Sequence, residues 1–290
     1  MDDEANEEVA TAGNHVLGQR QFDRFRELVA RHTGIALGPH KMPFVCGRLS
    51  RRLRQLGISD FDEYYDLVTS PGEDDELRRF INAVTTNKTS FFREAHHFDD
   101  LRAHLAGSPR KVRVWCAASS TGEEPWSLAI TLAEILGLDS GCDLRLLASD
   151  IDTDVLATAE RGVYGEDRLE GLDDAQLRRW FVEGEGPMAG RVRVRKALRD
   201  LVTFRRINLT QQPWPIHARF DAIFCRNVLM YFDRETQEAV VSGMIRLLVP
   251  GGLLCLGHSE SMLGMRPDLR GLGRTAYHRT DGAAHVGRAP

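Results

Sequence analysis

Apolar side chains recur three and four positions apart from Gln21 to about Phe92. They fall into four sets: Phe22, Phe25, Leu28 and Val29; Val45, Leu49, Leu53 and Leu56; Phe61, Tyr64, Tyr65 and Val68; and Leu77, Phe80, Ile81 and Val84. That spacing puts each set on one helical face, and breaks at HTGIALGPH, LGISD and TSPGEDD separate the helices of a small helical domain over residues 19–90. Ser59 or Asp60, and Ser70, are the expected N-caps. Residues 1–18 are polar and acidic, with no period that would bury a face, and are expected to form a disordered tail. A second such tail is expected over 283–290.

After Lys111 the pattern changes. KVRVWCA, DLRLLAS, RFDAIFC and GGLLCLGH read as buried strands, while Glu123–Leu136, Thr153–Arg161 and Arg234–Leu248 read as helices. This alternation predicts an open, mostly parallel sheet covered on both faces. RTAYHRT is expected to return as an edge strand. An interruption at about 161–200 contains RVRVR, where Arg191, Arg193 and Arg195 alternate with Val192 and Val194. A half-exposed strand has that period, so a small antiparallel hairpin is expected here, valines inward and arginines outward. LVTFRRI follows it.

At 290 residues and 42% hydrophobic side chains, the chain can bury one large core or two modest ones. No run approaches the roughly 20 apolar residues of a membrane span. The start MDDEANEEVA has neither the basic end nor the apolar run of a signal peptide, so the cytoplasm is the expected location. Cys46, Cys116, Cys142, Cys225 and Cys255 contain no CxxC pair and are expected as free thiols. A net charge of −4 argues against wholesale nucleic-acid binding.

In an open α/β sheet, ligands bind beyond the carboxyl ends of the central strands, which makes Ala117 to Gly122 the expected floor of a site. A dinucleotide pyrophosphate requires a GxGxxG loop with bare helix N–H groups. Here AASSTGEEP sets Glu123 and Glu124 where phosphates would lie, which disfavours an anion and suggests a cation. Asp150 ends the next strand, where a carboxylate can accept both hydroxyls of a ribose. S-adenosylmethionine, a nucleoside carrying an ammonium and a sulfonium, meets both conditions. Read alone, the two glutamates also suit a helix N-terminus through its dipole, and Asp150 a helix cap. His96 and His97 invite a metal, but no HExxH or second ligand cluster accompanies them, so none is expected. No Ser/His/Asp or Cys/His set argues for a covalent nucleophile.

The segments TTNKTSFFREAHHF, AASSTGEEPWSLA, ASDID, INL and FDAIFCRNVLMYF, in that order, resemble the chemotaxis receptor glutamate methyltransferases of the CheR family. The resemblance covers about Phe22 to Arg279, and TGEEPWS and FCRNVLMYF are its most specific parts. It implies a Rossmann-like S-adenosylmethionine-dependent methyltransferase domain over 91–282, with the insert at 161–200 as a small antiparallel β-subdomain and an all-α N-terminal domain before it. It also implies methyl transfer to glutamate side chains of a chemoreceptor's cytoplasmic helical bundle. By motif, the family's binding residues fall on Asn87, Thr89, Arg93, Glu124, Asp150, Asn208, Leu209, Arg226, Asn227 and Tyr231. Trp126 stands where the family usually has Tyr.

Within that resemblance Asp150 takes the ribose, Arg93 the methionine carboxylate through its guanidinium fork, and Asn208 and Asn227 the adenine and methionine backbone. Tyr231 is expected over the transferring methyl, its ring facing the sulfonium, which makes Arg93 and Tyr231 the catalytic candidates. Glu124 serves either the ribose network or the cofactor's amino-acid end. A substrate carboxylate is already ionised at neutral pH and needs no general base; Arg93 and Arg226 are the candidates to orient it.

RLSRRLRQLG is the clearly basic run of the helical domain. Arg48, Arg51 and Arg52 cluster beside the Val45–Leu49–Leu53–Leu56 stripe within roughly a 100° arc, and Arg54 belongs to the same run. Facing the acidic receptor surface that the resemblance implies, these arginines are expected to read the receptor, against the alternative of a solvated face covering the core. The edge of the insert is a candidate tether for a receptor tail by strand addition, or simply a protected edge. A monomer is expected. The rival readings keep the fold: a methyltransferase of RNA or a small molecule, and a cofactor-binding scaffold without catalysis.

Overall fold

The computed structural model describes residues 9–12, 15–107, 110–261 and 266–280. The chain divides into two units, Met1–Thr86 with Tyr231–Thr236, and Asn87–Met230 with Gln237–Pro290.

The first unit opens with an antiparallel hairpin, β1 (Val9–Ala12) and β2 (His15–Gly18). Residues 9–12 and 15–18 therefore differ from the expected tail. Leu17 is fully buried, His15 meets Phe61 edge-on at 6.1 Å, and the Cys46 thiol donates to the Ala10 carbonyl at 3.2 Å. Strands of four residues carry too little period to be read along the chain, and only the surface they cover makes them stable. Residues 1–8 and 283–290 of the expected tails lie outside the described residues.

Helices α1 (Gln19–Thr33), α2 (Met42–Leu56), α3 (Phe61–Thr69) and α4 (Asp74–Val84) follow the four apolar sets. Phe25 lies at their centre, 6.2 Å from the Phe61 ring and 5.5 Å from that of Phe80. Asp60 caps α3 by accepting the amides of Asp62 and Glu63 at 2.7 and 3.0 Å. Ser70 instead closes α3, and α4 begins only at Asp74, because the intervening Pro71-Gly72-Glu73 turns before the chain can coil again.

The basic run on α2 is split by packing. Arg52 is half-buried and grips Glu76 with two bonds, Nε to Oε1 at 2.8 Å and a terminal nitrogen to Oε2 at 2.5 Å, while the Tyr64 hydroxyl donates to the same Oε1 at 3.0 Å. Arg48, Arg51 and Arg54 are exposed.

The second unit begins with α5 (His96–His104), a helix the apolar pattern does not announce, then β3 (Lys111–Cys116), α6 (Glu123–Leu136), β4 (Asp143–Asp150) and α7 (Thr153–Arg161). The insert holds β5 (Val163–Gly165), α8 (Asp174–Trp180), β6 (Phe181–Glu183), β7 (Arg191–Val194) and α9 (Lys196–Arg199). The main sheet resumes with β8 (Val202–Arg206), β9 (Phe220–Cys225), α10 (Arg234–Leu247), β10 (Leu248–Leu256), β11 (Leu269–Gly273) and β12 (Ala276–Arg279).

The seven-stranded sheet runs β11-β12-β10-β9-β3-β4-β8, parallel from β10 to β8 and antiparallel at the β11–β12 end. From β3 the chain moves outward to β4 and β8, then returns to β9 on the other side of β3. The carboxyl ends of β3 and β9 thus form the switch point where such sheets open a crevice. Two expectations change. RTAYHRT supplies β12, but the edge is β11, whose LRGLG has too many glycines to read as a strand. The insert is a three-stranded antiparallel sheet, β5-β7-β6, so RVRV is its central strand, not an edge. Its period holds: Val194 is buried, Val192 half-buried, and Arg191 and Arg193 exposed.

The Arg52–Glu76–Tyr64 cluster generates a stability prediction. Glu76→Ala leaves a half-buried guanidinium without its carboxylate and is expected to cost about 3 kcal/mol in urea unfolding, against about 1 kcal/mol for Tyr64→Phe.

Candidate functional site

The loop after β3 is built by close approach. Gly122 sits at φ 102°, and a Cβ there would lie 2.6 Å from the Tyr164 hydroxyl and 2.8 Å from the Ala159 Cα, so only glycine fits. The Tyr164 hydroxyl donates to the Thr121 carbonyl at 2.8 Å, and the Ser119 amide to the Ser149 carbonyl at 2.9 Å. α6 starts immediately, and its two leading glutamates separate. Glu123 is taken by Arg168 of the insert and by the Thr121 hydroxyl, 2.7 Å away. Glu124 turns under the switch point.

There Glu124 meets Arg226, the first residue after β9. The Arg226 guanidinium is fully enclosed, with one terminal nitrogen 2.9 Å from Glu124 and the other 3.3 Å from Glu94; that second nitrogen also donates to the Arg93 carbonyl. The Cys116 thiol donates to the other Glu124 oxygen at 3.3 Å, so both oxygens are engaged. Burial lifts the Glu124 carboxyl above its usual range against the pull of Arg226. Burial acts likewise on Glu94, but Arg226 and the Asn227 amide, 3.3 Å away, more than offset it and hold that carboxyl low. Arg226 thus holds two carboxylates together in the protein interior, a position from which its side chain does not reach an incoming substrate.

A second string of bonds begins at Asp150, at the end of β4. Its oxygens accept the amides of Ser120 at 2.8 Å and Asp152 at 3.0 Å. Burial outweighs these bonds and pushes its pKa up to about 6, with neighbouring Asp152 adding to the rise. Asn87 joins the string, its amide donating to Asp152 at 2.8 Å and its carbonyl accepting the Ser120 hydroxyl at 3.0 Å. Asp152 also caps α7 through the amides of Asp154 and Val155. Thr89 is half-buried just beyond Asn87.

Asn208 and buried Leu209 follow β8, whose last residue, Arg206, pairs with Asp150; the Asn208 side-chain oxygen accepts the Thr210 amide at 3.1 Å. Arg93 is half-buried, its guanidinium donating to the Lys88 carbonyl at 3.1 Å. Tyr231 belongs to the first unit, where its carbonyl accepts the Ala36 amide at 2.7 Å.

Glu94, Asp152 and Glu260 were not singled out from the sequence, and His97 was weighed only as a metal ligand. Glu94 lies inside the FFREAHHF motif and was within reach of a question about what balances a buried arginine. His97 donates Nε2–H to the Arg274 carbonyl at 2.8 Å; burial and Arg226 together lower its pKa to about 4, so it is neutral. Glu94, His96 and His97 do bring potential metal-ligating atoms within 4.8 Å of one another. Arg226, 3.3 Å from the Glu94 carboxylate, opposes a second cation there.

Carboxylates outnumber buried cations at this crevice, and Asp150 ends a strand beside the switch point. That donor set fits a cationic nucleoside better than a phosphate, and with the sheet order it belongs to an S-adenosylmethionine-dependent methyltransferase. CheR methyltransferase, SAM binding domain, matches residues 87–277, and CheR methyltransferase, all-alpha domain, matches 20–85. The chain is 47% identical to a chemotaxis protein methyltransferase of Klebsiella aerogenes, covering 91% of each chain. It is 45% identical to that of Escherichia coli over 90% of this chain and 91% of that one, and 46% identical to chemotaxis protein methyltransferase 2 of Pseudomonas aeruginosa over 89% of this chain and 92% of that one. The protein belongs to the CheR methyltransferase family.

The raised Asp150 pKa carries a signed prediction. An acid titrating at about 6 in the folded state and near 3.8 unfolded destabilises the fold once ionised. That cost is absent below pH 3.8, grows through the interval and is complete above about pH 6, at up to about 3 kcal/mol. Asp150→Asn is therefore expected to raise the unfolding free energy of the unliganded protein at pH 7.5, with the gain vanishing near pH 4, while weakening S-adenosylhomocysteine binding in calorimetry.

Proposed function

We propose that this enzyme methylates receptor glutamates with the α/β unit as catalyst and the exposed arginines of α2 as receptor reader. The reaction is methyl transfer from S-adenosylmethionine to glutamate side-chain carboxylates of chemoreceptors, leaving glutamate methyl esters and S-adenosylhomocysteine. One observation carries the assignment of roles: the Glu94–Arg226–Glu124 set and the Asp150 string, brought together at the switch point. Asp150 takes the ribose hydroxyls. Glu124 and Glu94, bound to each other through Arg226, supply the negative environment for the ammonium and sulfonium. Asn208 and Leu209 edge the adenine, and Asn227 and Thr89 the methionine portion. Arg93, whose guanidinium is half-exposed where that of Arg226 is enclosed, takes the methionine carboxylate or orients the incoming glutamate. Tyr231 is the aromatic assigned to the transferring methyl.

Bound S-adenosylmethionine supplies a sulfonium-activated methyl carbon. The chain's residues hold the two reactants in line and exclude water, a positioning effect of roughly 7 to 11 kcal/mol in well-oriented systems. Opposite charges cancel as the carboxylate attacks, so a dry crevice favours the less charged transition state. No side chain has to accept a proton.

With Arg52 committed to Glu76, receptor reading falls to Arg48, Arg51 and Arg54. A receptor surface rich in glutamates is steered by such a face. The substrate's cytoplasmic bundle sets the enzyme's place in the cytoplasm; no helix among the described residues is long and apolar enough to cross a membrane. The enzyme is assigned as a monomer.

The β-subdomain is the proposed tether for a receptor tail. The Gly184 amide donates to the Arg191 carbonyl and that of Arg195 to the Trp180 carbonyl, both at 2.8 Å. Glu183 therefore turns its backbone groups to the open edge, whereas the Phe181 amide is taken by the Leu177 carbonyl at the end of α8. A groove of about 760 Å³ beside β6 and β7 is lined by Val182, Met188, Arg191, Arg193, Arg195 and Lys196, among others, which suits an acidic extended segment.

Incubation with tritiated cofactor and receptor fragments is expected to give a base-labile label, as a methyl ester requires; alkali-stable label would sink the assignment. In the same assay Arg51→Glu with Arg54→Glu should lower kcat/KM for receptor and flatten its salt dependence, with cofactor affinity unchanged. Glu183→Pro removes an edge donor without touching the β6–β7 ladder, and should weaken binding of tailed receptors only.

A further inference from the structure

Glu260 lies past the end of β10 and is buried at 6% exposure. Its Oε2 accepts the amides of Asn227 at 2.9 Å and Gly257 at 2.7 Å, and its Oε1 that of Met230 at 3.2 Å. A buried carboxylate held by several backbone N–H groups is a strong fastening, because each bond is charge-assisted. What it fastens is the segment leaving β9. Asn227 stands at φ 57°, a conformation that costs a non-glycine residue energy and that persists only when the surroundings impose it. The packing is tight: a Cβ on Gly257 would lie 2.6 Å from the Asn227 amide nitrogen and 2.7 Å from the Glu260 Oε2. Immediately before this turn stands Arg226, directed at Glu94 and Glu124, and the Asn227 side chain bonds Glu94.

We infer that Glu260 is a positioning residue for the cofactor site: its carboxylate ties the ends of β9 and β10 together and imposes the left-handed turn that directs Arg226 inward and sets Asn227 against Glu94. Burial raises its pKa, and the bonds from Gly257, Met230 and Asn227 pull the other way. The inference rests on the reading that Asn227 and the Arg226-held carboxylates form the cofactor site.

The full chain carries Glu260→Ala, Glu260→Gln or Asn227→Ala, and two quantities are read: S-adenosylhomocysteine affinity by calorimetry, and amide hydrogen exchange of the segment from Cys225 to Tyr231. Glu260→Ala is expected to raise the dissociation constant about tenfold or more, the loss of one to two such bonds. It should also speed exchange at Asn227 and Met230 and leave KM for receptor unchanged. Glu260→Gln keeps the side-chain volume and one accepting oxygen and should fall between; if the alanine variant does not fold, the glutamine variant carries the test alone. A purely structural role would lower the yield of folded protein, while the surviving molecules bound the ligand as tightly as wild type. Wild-type affinity together with wild-type exchange in folded Glu260→Gln or Glu260→Ala overturns the inference. Faster exchange, with Asn227→Ala binding as wild type, overturns instead the placement of Asn227 in the cofactor site and leaves the fastening standing.

Discussion

One enclosed guanidinium organises the crevice. Arg226 has no exposed side-chain surface, and an unpaired charge in that position would be prohibitive, so Glu94 and Glu124 must both be present and must both approach it. Three segments are thereby tied: the FFRE turn before α5, the first turn of α6 and the end of β9. Replacing one partner would leave a buried charge uncompensated, a loss of about 3 to 5 kcal/mol. The paired state still carries net negative charge, and that excess is available to a cationic ligand. The same contact therefore holds the walls of the site together and sets its polarity.

The rest of the site inherits its geometry from strand order. β3 and β9 are neighbours, and the chain leaves them in opposite directions across the sheet, so the loop from Ala117 to Gly122 and the turn from Arg226 to Met230 open side by side. Each loop is forced by a close approach. Gly122 lets the first pass against Tyr164 and α7, and the Glu260 carboxylate holds the second against Gly257. Asp150 then stands at the neighbouring strand end, its charge lifted toward neutrality by burial.

The two glutamates that open α6 show how one local pattern serves two ends. Both suit the helix N-terminus, yet Glu123 is spent on Arg168 of the β-subdomain and Glu124 on Arg226. The arginines of α2 divide in the same way: Arg52 goes inward to Glu76, while Arg51, next to it in the chain, stays in solvent. A helical turn of roughly 100° per residue is enough to separate them.

By itself the sequence determined what is local. Apolar spacing yields α1 to α4, the β-rich runs yield the core strands, and small residues ending in GEEP mark the loop at the switch point, because periodicity and turn chemistry act over a few residues. The resemblance of its motifs reached further, to the family. Tertiary structure alone decided which charges meet. Arg226 finds Glu124 across 102 positions and Asn227 finds Glu94 across 133, distances over which no period extends. The N-terminal hairpin, the glycine-rich β11 and the central rather than edge position of RVRV belong to the same class. Strands this short are defined by their neighbours, and strand order exists only once the chain has folded.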